Sequence, residues 1–324
     1  MKPPSKPLAI ATRRSPLALV QARDVQGRLA AQCGLTGAAI DAHFPILGLV
    51  STGDRIQDRT LIEAGGKGLF TKEIDEAQLD GRAAFAVHSM KDVPTTLPDG
   101  LVLGALLERE DPRDMLIARG GETRLADLPA GVTIGTASLR RQAQLLHKRP
   151  DLTVVPLRGN VDTRLGKLAE GPIYATFLAR AGLNRLGRAE AQRDPLQTGE
   201  MLPAAAQGAV GVAIRDGDGL AADYLAGLHH QPTELAVTAE RAFLAELDGS
   251  CRTPIAAHLN NVSMDFIGEV LTPDGKQCWR EQIRFDMTTA DTHSARQAGQ
   301  ALGQAVRRAA GGGLAAPPVG AWQS

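Results

Sequence analysis

Two side chains in this sequence are candidate reacting groups, a carboxylate and a thiol. Asp92 lies in the segment HSMKDVP, directly after the apolar run AAFAVHS, which predicts a β-strand. Open α/β sheets bind ligands at the carboxyl ends of their strands, so Asp92 is a candidate for acid–base or electrostatic chemistry. The alternative is a structural carboxylate that pairs with Lys91 or caps a turn before Pro94.

The thiol is Cys251, in the polar loop DGSCRTP beside Arg252. A neighbouring cation favours the thiolate, so Cys251 is the best candidate nucleophile among the cysteines. Cys33 and Cys278 are interpreted as buried small hydrophobes. The sequence has no CxxC pair, no metal-ligand spacing of histidines and no local Cys/His dyad, so it predicts no metal site and no cysteine protease.

Arginines lie near the predicted starts of three helices, whose N-caps would be Ser15, Ser138 and Asn160. A helix start carries partial positive charge, so each cation there costs about 0.3–1 kcal/mol at an exposed site. The arginines concerned are Arg13, Arg14, Arg140, Arg141, Arg158 and Arg164. Together they predict a polyanion site, whereas the alternative for each one alone is solvent or a nearby Asp or Glu. Lys67, in the loop GGKGLFTKE, is a further predicted anion contact or, alternatively, part of an ordinary mobile loop.

Strand-like and helix-like runs alternate through most of the chain, which indicates an α/β protein with parallel sheets and crossover helices. The first series is strand 8–12, helix 16–31, strand 40–49, helix 71–81 and strand 83–89. The second series is strand 131–136, helix 138–149, strand 151–157, helix 161–171 and strand 173–178. The run 208–215 is a candidate strand that returns to the first sheet. A helix over 234–247 and a hairpin around Pro273, Asp274 and Gly275 complete the pattern.

These patterns predict three domains in the 324 residues. They are α/β domain 1 over 7–108 with 208–226, α/β domain 2 over 112–203, α+β domain 3 over 231–310, and a disordered tail over 311–324.

Composition excludes several classes of partner. Lys plus Arg and Asp plus Glu are 36 each and aromatic residues are 3%, so neither net charge nor base stacking favours nucleic acid. No apolar run is long enough for a signal peptide or a membrane span, which predicts a cytoplasmic protein without a membrane partner.

Several longer segments occur together in the order of one known family. They are GGKGLF, HSMKDVP, EREDPRD, TASLRRQ, LRGNVDTRL, AGLNRLG, LPAAAQGA and AERA followed by DGSCRTPI. Over nearly its whole length the chain resembles the porphobilinogen deaminases (hydroxymethylbilane synthases), transferases of tetrapyrrole and heme biosynthesis. The resemblance implies an α/β fold with two periplasmic-binding-protein-like α/β domains plus a smaller α+β C-terminal domain, in a monomer.

The resemblance also implies a reaction and its cofactor. Cys251 would hold a dipyrromethane through a thioether, and the enzyme would build this cofactor from its own substrate. Four porphobilinogen molecules would be deaminated and joined head to tail, and water would release hydroxymethylbilane. Asp92 would assist ammonia loss and stabilise the cationic azafulvene and the pyrrole nitrogens.

Each pyrrole unit carries an acetate and a propionate, so the growing chain is the polyanion that the arginines require. By resemblance the residues that bind cofactor are Ser89, Lys91, Thr136, Ser138, Arg140, Arg141, Arg164 and Cys251. Those that bind substrate are Arg13, Ser15, Lys67, Arg158, Arg185 and Gln207.

Three positions depart from the family pattern. Ser250 gives GSC where many members have GGC, Glu63 lies near a position that is basic in some members, and Ala206 replaces a common glycine before Gln207. They bear on loop mobility and carboxylate contacts and leave the predicted reaction unchanged. The competing hypothesis is a two-lobed anion-binding receptor or effector domain without catalysis, which predicts reversible ligand and an inert Cys251.

Overall fold

The computed structural model of the chain describes residues 1–55, 68–247 and 253–311. Lys67, Glu63, Ser250, Cys251 and the predicted tail from 312 onward lie outside the described residues. The α-helices are α1 Pro16–Gln32, α2 Ala38–His43, α3 Thr52–Arg55, α4 Lys72–Leu79, α5 Leu139–Lys148, α6 Val161–Glu170, α7 Arg180–Arg185, α8 Gly219–Leu225, α9 Gln231–Glu246 and α10 Thr292–Ala310. The strands are β1 Ile10–Arg13, β2 Ile46–Leu49, β3 Phe85–Ser89, β4 Leu101–Leu106, β5 Asp114–Ala118, β6 Thr133–Gly135, β7 Thr153–Val155, β8 Ala175–Ala179, β9 Val210–Arg215, β10 Ile255–Leu259, β11 Asp265–Leu271 and β12 Cys278–Arg284.

The first sheet has the strand order β2-β1-β3-β9-β4. Its strands β2, β1 and β3 are parallel, and β9 pairs antiparallel with both β3 and β4. Side chains alternate across the sheet, so Ile10 packs with Val25 and Leu29 of α1 on one face, while Ala11 packs with Ile74 of α4 on the other. The prediction that 208–215 supplies a strand of this sheet is confirmed.

The prediction of one strand over 40–49 is wrong in its first half. Residues 38–43 form α2, and only Ile46–Leu49 form β2. Pro45 has no backbone N–H and disfavours helix in the residue before it, so the helix ends there. Phe44 is fully buried, with its ring centroid 5.8 Å from that of Tyr224, and it fixes the turn between helix and strand.

The second sheet has the strand order β5-β8-β6-β7. Strand β6 is parallel to both of its neighbours, β7 and β8, whereas β5 is antiparallel to β8. It is packed on both faces. Ile134 and Phe177 lie in a cluster with Leu145 of α5, and Met115 and Leu178 lie in another with Leu168 of α6. The α/β class predicted from the alternating pattern is therefore confirmed. The expectation of parallel sheets is only partly met, because β9 runs antiparallel to β3 and β4, and β5 runs antiparallel to β8.

The third sheet, β10-β11-β12, is antiparallel throughout, and the predicted hairpin joins β11 to β12. Helices α9 and α10 cover it, with Phe243 and Phe266 in edge-to-face contact at 6.4 Å. Helix α10 approaches α9 closely because Gly299 has no side chain. A Cβ there would lie 2.2 Å from the carbonyl oxygen of Ala239.

The described residues divide into two compact units. The first unit contains 1–55, 68–110 and 209–233 and holds the first sheet. The second unit contains 111–208, 234–247 and 253–311 and holds the other two sheets. The three-domain boundaries expected from the sequence stay a prediction. Within the described ranges, no helix combines the length and apolar character needed to cross a bilayer.

Candidate functional site

Asp92 lies in a single 3-10 turn, Met90–Asp92, that follows β3 directly. Met90 fixes this turn, because its side chain is 1% exposed and its N–H donates to the carbonyl of Ala209 at 3.0 Å. The Met90 sulfur occupies the space beside Gly211, where a Cβ would lie 2.2 Å from it. With Met90 buried, the turn leaves the Asp92 carboxylate partly exposed at the carboxyl end of the strand, as predicted.

A cavity of about 70 Å³ lies beside this turn, within the first unit. Five of the site residues expected from the sequence line it, namely Arg13, Ser15, Ser89, Lys91 and Asp92. They meet because β1 and β3 are parallel neighbours, so their carboxyl ends lie at the same edge of the sheet. Ser15 caps α1 by accepting from the N–H of Ala18 at 3.4 Å, and the Ser89 hydroxyl bonds the side-chain amide of Gln21 at 2.9 Å.

Arg13 joins two walls of this cavity. Its Nη1 lies 3.6 Å from Oδ2 of Asp92, and its guanidinium carbon lies 4.4 Å from the ring centroid of Phe70. Both the carboxylate and the ring face favour a fixed cation. Asp92 therefore forms an ion pair with Arg13. The pair with Lys91 and the turn cap before Pro94 stay alternatives from the sequence.

His88 also lines the cavity, although no role is predicted for it from the sequence. It is 5% exposed, and its Nε2 is buried without a hydrogen-bond partner among the described residues. Burial, together with the charge of Arg13, lowers the pKa of His88 to about 4, so the ring is neutral near pH 7. A polar residue at the carboxyl end of an otherwise apolar strand was the signal for it.

In the second unit, the expected site residues gather around a carboxylate that sequence reasoning missed. Asp114, the first residue of β5, is fully buried. Its Oδ2 lies 2.7 Å from Nη2 of Arg140, and its Oδ1 lies 2.7 Å from Nη2 of Arg141 and 3.0 Å from Nε2 of Gln207. Burial alone would raise the pKa of Asp114, but the two guanidinium groups hold it well below its usual value.

This cluster changes the interpretation of the arginines on α5. Ser138 caps the helix as predicted, accepting from the N–H of Arg141 at 3.5 Å, and Thr136 in turn accepts from the N–H of Ser138 at 3.1 Å. The anion that compensates Arg140 and Arg141 at the helix start is Asp114 of the same chain, which is the alternative interpretation for this pair. Their contact with ligand carboxylates stays a prediction.

The other arginines of the second unit that are expected in the site, Arg158, Arg164 and Arg185, lie near turns of the chain. Asn160 caps α6 as predicted, accepting from the N–H of Thr163 at 2.8 Å, and Arg164 donates from Nε to the carbonyl of Gly159 at 2.8 Å. Arg185 donates from Nη2 to the carbonyl of Gly208 at 2.8 Å, next to Gln207. Arg158 immediately precedes the Gly159 turn, and its carbonyl accepts from Lys167.

Two expected contacts, Cys251 and Lys67, lie outside the described residues, and their roles stay predictions. The expectation that Cys33 and Cys278 are buried is only partly met, because both are half-buried. Among the described residues, no group of His, Cys, Asp and Glu side chains is arranged to hold a metal ion.

Family models match most of the chain. Residues 8–223 match "Porphobilinogen deaminase, dipyromethane cofactor binding domain", and residues 234–307 match "Porphobilinogen deaminase, C-terminal domain". The porphobilinogen deaminase of Caulobacter vibrioides (strain NA1000 / CB15N) is 49% identical over 318 residues, which cover 96% of this chain and 98% of that protein. The chloroplastic porphobilinogen deaminase of Oryza sativa subsp. japonica is 51% identical over 271 residues, 83% of this chain and 75% of that protein.

Among solved structures, a TRAP periplasmic solute binding protein from Desulfovibrio salexigens aligns with 70% of this chain and 73% of its own, at 12% identity and a TM-score of 0.43. That score is too low to support an argument about this chain. The sequence relatives are similar over almost the full length, and the cofactor-domain model spans both the Asp92 cavity and the Asp114 cluster. This chain therefore belongs to the porphobilinogen deaminase family.

Proposed function

We propose that this chain deaminates porphobilinogen and joins four molecules of it head to tail on a covalently bound dipyrromethane, releasing hydroxymethylbilane by hydrolysis. The observation that carries this proposal is the Asp92 cavity, in which a carboxylate, a guanidinium and serine hydroxyls meet at the end of β3 in a chain of this family. The alternative, an anion receptor without chemistry, would need the cations but no carboxylate among them.

The residues of the cavity fit a pyrrole chain. Acetate and propionate groups accept hydrogen bonds, and Arg13, Ser15, Ser89 and Lys91 supply donors. Pyrrole nitrogens and amines donate hydrogen bonds, and Asp92 supplies an acceptor. The unpartnered Nε2 of His88 adds a further polar atom in the same wall.

In the proposed mechanism Asp92 acts at the pyrrole nitrogen of the substrate. The amino group of the aminomethyl substituent leaves as ammonia, and positive charge develops on the ring and on the methylene carbon that stays attached to it. A carboxylate held at the pyrrole N–H stabilises that charge. It then accepts the proton that the attacking pyrrole carbon loses when the new carbon–carbon bond forms, and the released ammonia takes this proton up. The covalently held dipyrromethane supplies the nucleophilic pyrrole carbon at which the chain begins.

The positively charged residues would bind the peripheral carboxylates and orient each ring. We assign substrate binding to Arg13, Ser15, Lys67, Arg158, Arg185 and Gln207, and cofactor binding to Ser89, Lys91, Thr136, Ser138, Arg140, Arg141 and Arg164, with Cys251 as the covalent anchor. We further propose a cytoplasmic monomer of three domains. Measuring the mass in solution by light scattering tests the monomer.

The covalent anchor is tested by intact mass. We expect the purified protein to carry an excess equal to one dipyrromethane, which Cys251→Ala loses. Cys33→Ala and Cys278→Ala are matched controls that should keep it. A wild-type protein that is active with a bare polypeptide mass would contradict the covalent primer. A bare polypeptide mass without any activity would favour the receptor hypothesis.

A further inference from the structure

One buried carboxylate, Asp114, is the common acceptor for three residues that family resemblance assigns to ligand binding. Arg140, Arg141 and Gln207 come from α5 and from the turn before β9, and all three reach it within 3.0 Å. Gln207 is held further by donating from the same Nε2 to the carbonyl of Pro112 at 2.7 Å. Asp114 therefore joins two separate segments of the predicted binding surface.

Each guanidinium is fixed at both of its terminal nitrogens. Arg140 donates from Nη1 to the carbonyl of Leu202 at 2.6 Å, and Arg141 donates from Nη1 to the carbonyl of Phe177 at 2.8 Å. Their Nη2 atoms are those bound to Asp114. Two fixed points set the plane of each guanidinium before any ligand arrives.

Donor capacity remains on these arginines. A guanidinium has five N–H groups, so the two bonds from each leave three. The Nε of Arg141 is buried and makes no hydrogen bond to any residue that the structure describes. The side chains of Arg140 and Arg141 are each 6% exposed, so an acceptor that reaches them meets groups already removed from water.

The charges of the cluster add to one positive charge, from two guanidinium groups and one carboxylate. Without Asp114 the two cations would repel each other in a buried place. With it, both can stay charged while the cluster as a whole still attracts an anion.

We infer that Asp114 is a positioning residue, which orients Arg140, Arg141 and Gln207 toward the carboxylates of the pyrrole chain. This inference rests on the proposed function. It assigns to Asp114 no contact with the ligand, only control over the direction of the groups that make one.

The test compares Asp114→Asn and Asp114→Glu with wild type in the full-length protein. Each is supplied with porphobilinogen, and the dipyrromethane-bearing fraction is read from intact mass. KM and kcat are then measured per cofactor-bearing molecule, and circular dichroism reports the folded fraction. Asp151→Asn is the matched control, because Asp151 binds Arg149 at 2.8 Å in the same unit and Arg149 also donates to backbone carbonyls.

We expect Asp114→Asn to fold, to carry several-fold less cofactor, and to show a KM raised by about tenfold with kcat per loaded molecule changed far less, since binding is what is lost. Asp114→Glu keeps the charge but displaces the carboxylate, so a smaller effect of the same kind should follow. Asp151→Asn should match wild type in folded fraction, cofactor content, KM and kcat.

A folded Asp114→Asn with wild-type cofactor content and KM overturns the inference. If Asp114→Asn does not fold, the cofactor content and KM of Asp114→Glu decide instead. If neither variant folds, the carboxylate is a folding determinant and the inference is overturned as well. A wild-type protein without cofactor or turnover would instead contradict the proposed function, so the two failures are distinct.

Discussion

The sulfur of Met90 fills the space where a side chain at position 211 would have to stand. A Cβ on Gly211 would lie 2.2 Å from this atom, and the turn that ends at Asp92 depends on Met90 staying buried. Adding one methyl group at Gly211 of β9 would therefore act on the neighbouring turn that carries Asp92, the proposed catalytic carboxylate.

Gly211→Ala should accordingly displace the turn that carries Asp92. We expect a loss of about 1–3 kcal/mol of unfolding free energy from overpacking, and a fall in kcat larger than the change in KM. Urea denaturation and steady-state kinetics measure the two effects. Gly27→Ala is the control, because Gly27 lies inside α1 with nothing near its Cβ position, and it should stabilise by about 0.5–1 kcal/mol. If Gly211→Ala is destabilised but keeps its kcat, the contact between Met90 and Gly211 does not position Asp92 for catalysis.

Asp92→Asn keeps the shape of the side chain but removes its charge. Because the proposed role is stabilisation of developing positive charge, we expect kcat to fall at least about a hundredfold while the fold and the dipyrromethane mass persist. Asp99→Asn, on an exposed turn, should behave as wild type. Normal turnover in Asp92→Asn would remove this carboxylate from the mechanism.

Arg13→Lys keeps the charge but loses the planar group that lies over Phe70 and beside Asp92. We expect KM for porphobilinogen to rise by about tenfold, which corresponds to about 1.4 kcal/mol of binding. Arg28→Lys, at the exposed pair with Asp24, is the matched control and should leave KM unchanged. Equal KM values in the two variants would argue against Arg13 as a carboxylate contact.

Two buried groups of the first unit, Asp75 on α4 and His88 on β3, should give opposite pH dependences of stability. Burial raises the pKa of Asp75 to about 6 from 3.8, so the folded state binds the extra proton and stability falls as pH rises from about 4 to 6. Burial and Arg13 lower the pKa of His88 to about 4 from 6.5, so the unfolded state binds the extra proton and stability rises with pH from about 4 to 6.5.

In wild type these two contributions partly cancel. We expect Asp75→Asn to raise the free energy of unfolding near pH 7 by about 1–3 kcal/mol. In this variant the free energy of unfolding should increase as pH rises from about 4 to 6.5, because the contribution of His88 remains. In His88→Gln the free energy of unfolding should instead decrease as pH rises from about 4 to 6, because the contribution of Asp75 remains. Urea denaturation at a series of pH values measures both, with Asp24→Asn as an exposed control. Parallel slopes in the two variants would contradict the assignment.

Ala206 has a φ of 59°, in the left-handed region that favours glycine. Its N–H donates to Oε2 of the fully buried Glu240 at 2.6 Å, which holds the turn before Gln207 in this conformation. We expect Ala206→Gly to stabilise the protein by about 0.5–1 kcal/mol, because the strain of the Cβ outweighs the added chain entropy. Ala204→Gly, two residues earlier, should destabilise it instead. Thermal unfolding of the two variants compares them directly.

Local patterns were sufficient to predict much of this architecture. Ser15, Ser138 and Asn160 cap their helices as predicted. An N-cap can be predicted from the local sequence because its side chain accepts from a backbone N–H only three residues ahead. The hairpin around Asp274 and the strand 210–215 also carry their signals locally, in turn residues and in apolar runs.

What the sequence could not provide depends on distant partners. β5 begins at the last residue of the turn-like segment EREDPRD and is not among the elements predicted from the sequence. β4, which is also not predicted, is interrupted at Gly104, where its register to β9 shifts. The importance of Asp114 appears only when residues 26 and 93 positions away along the chain meet its carboxylate. His88 was missed since burial, rather than residue type, sets its pKa.

The strand β9 lies between β3 and β4, although about a hundred residues of chain separate it from them. On the ribosome, β3 and β4 therefore lack the strand between them until residues 210–215 emerge, and by then β5 to β8 have all left the exit tunnel. All four strands of the second sheet are thus available in a shorter nascent chain than the five strands of the first, so the first sheet can close only after the segment inserted into it has been made.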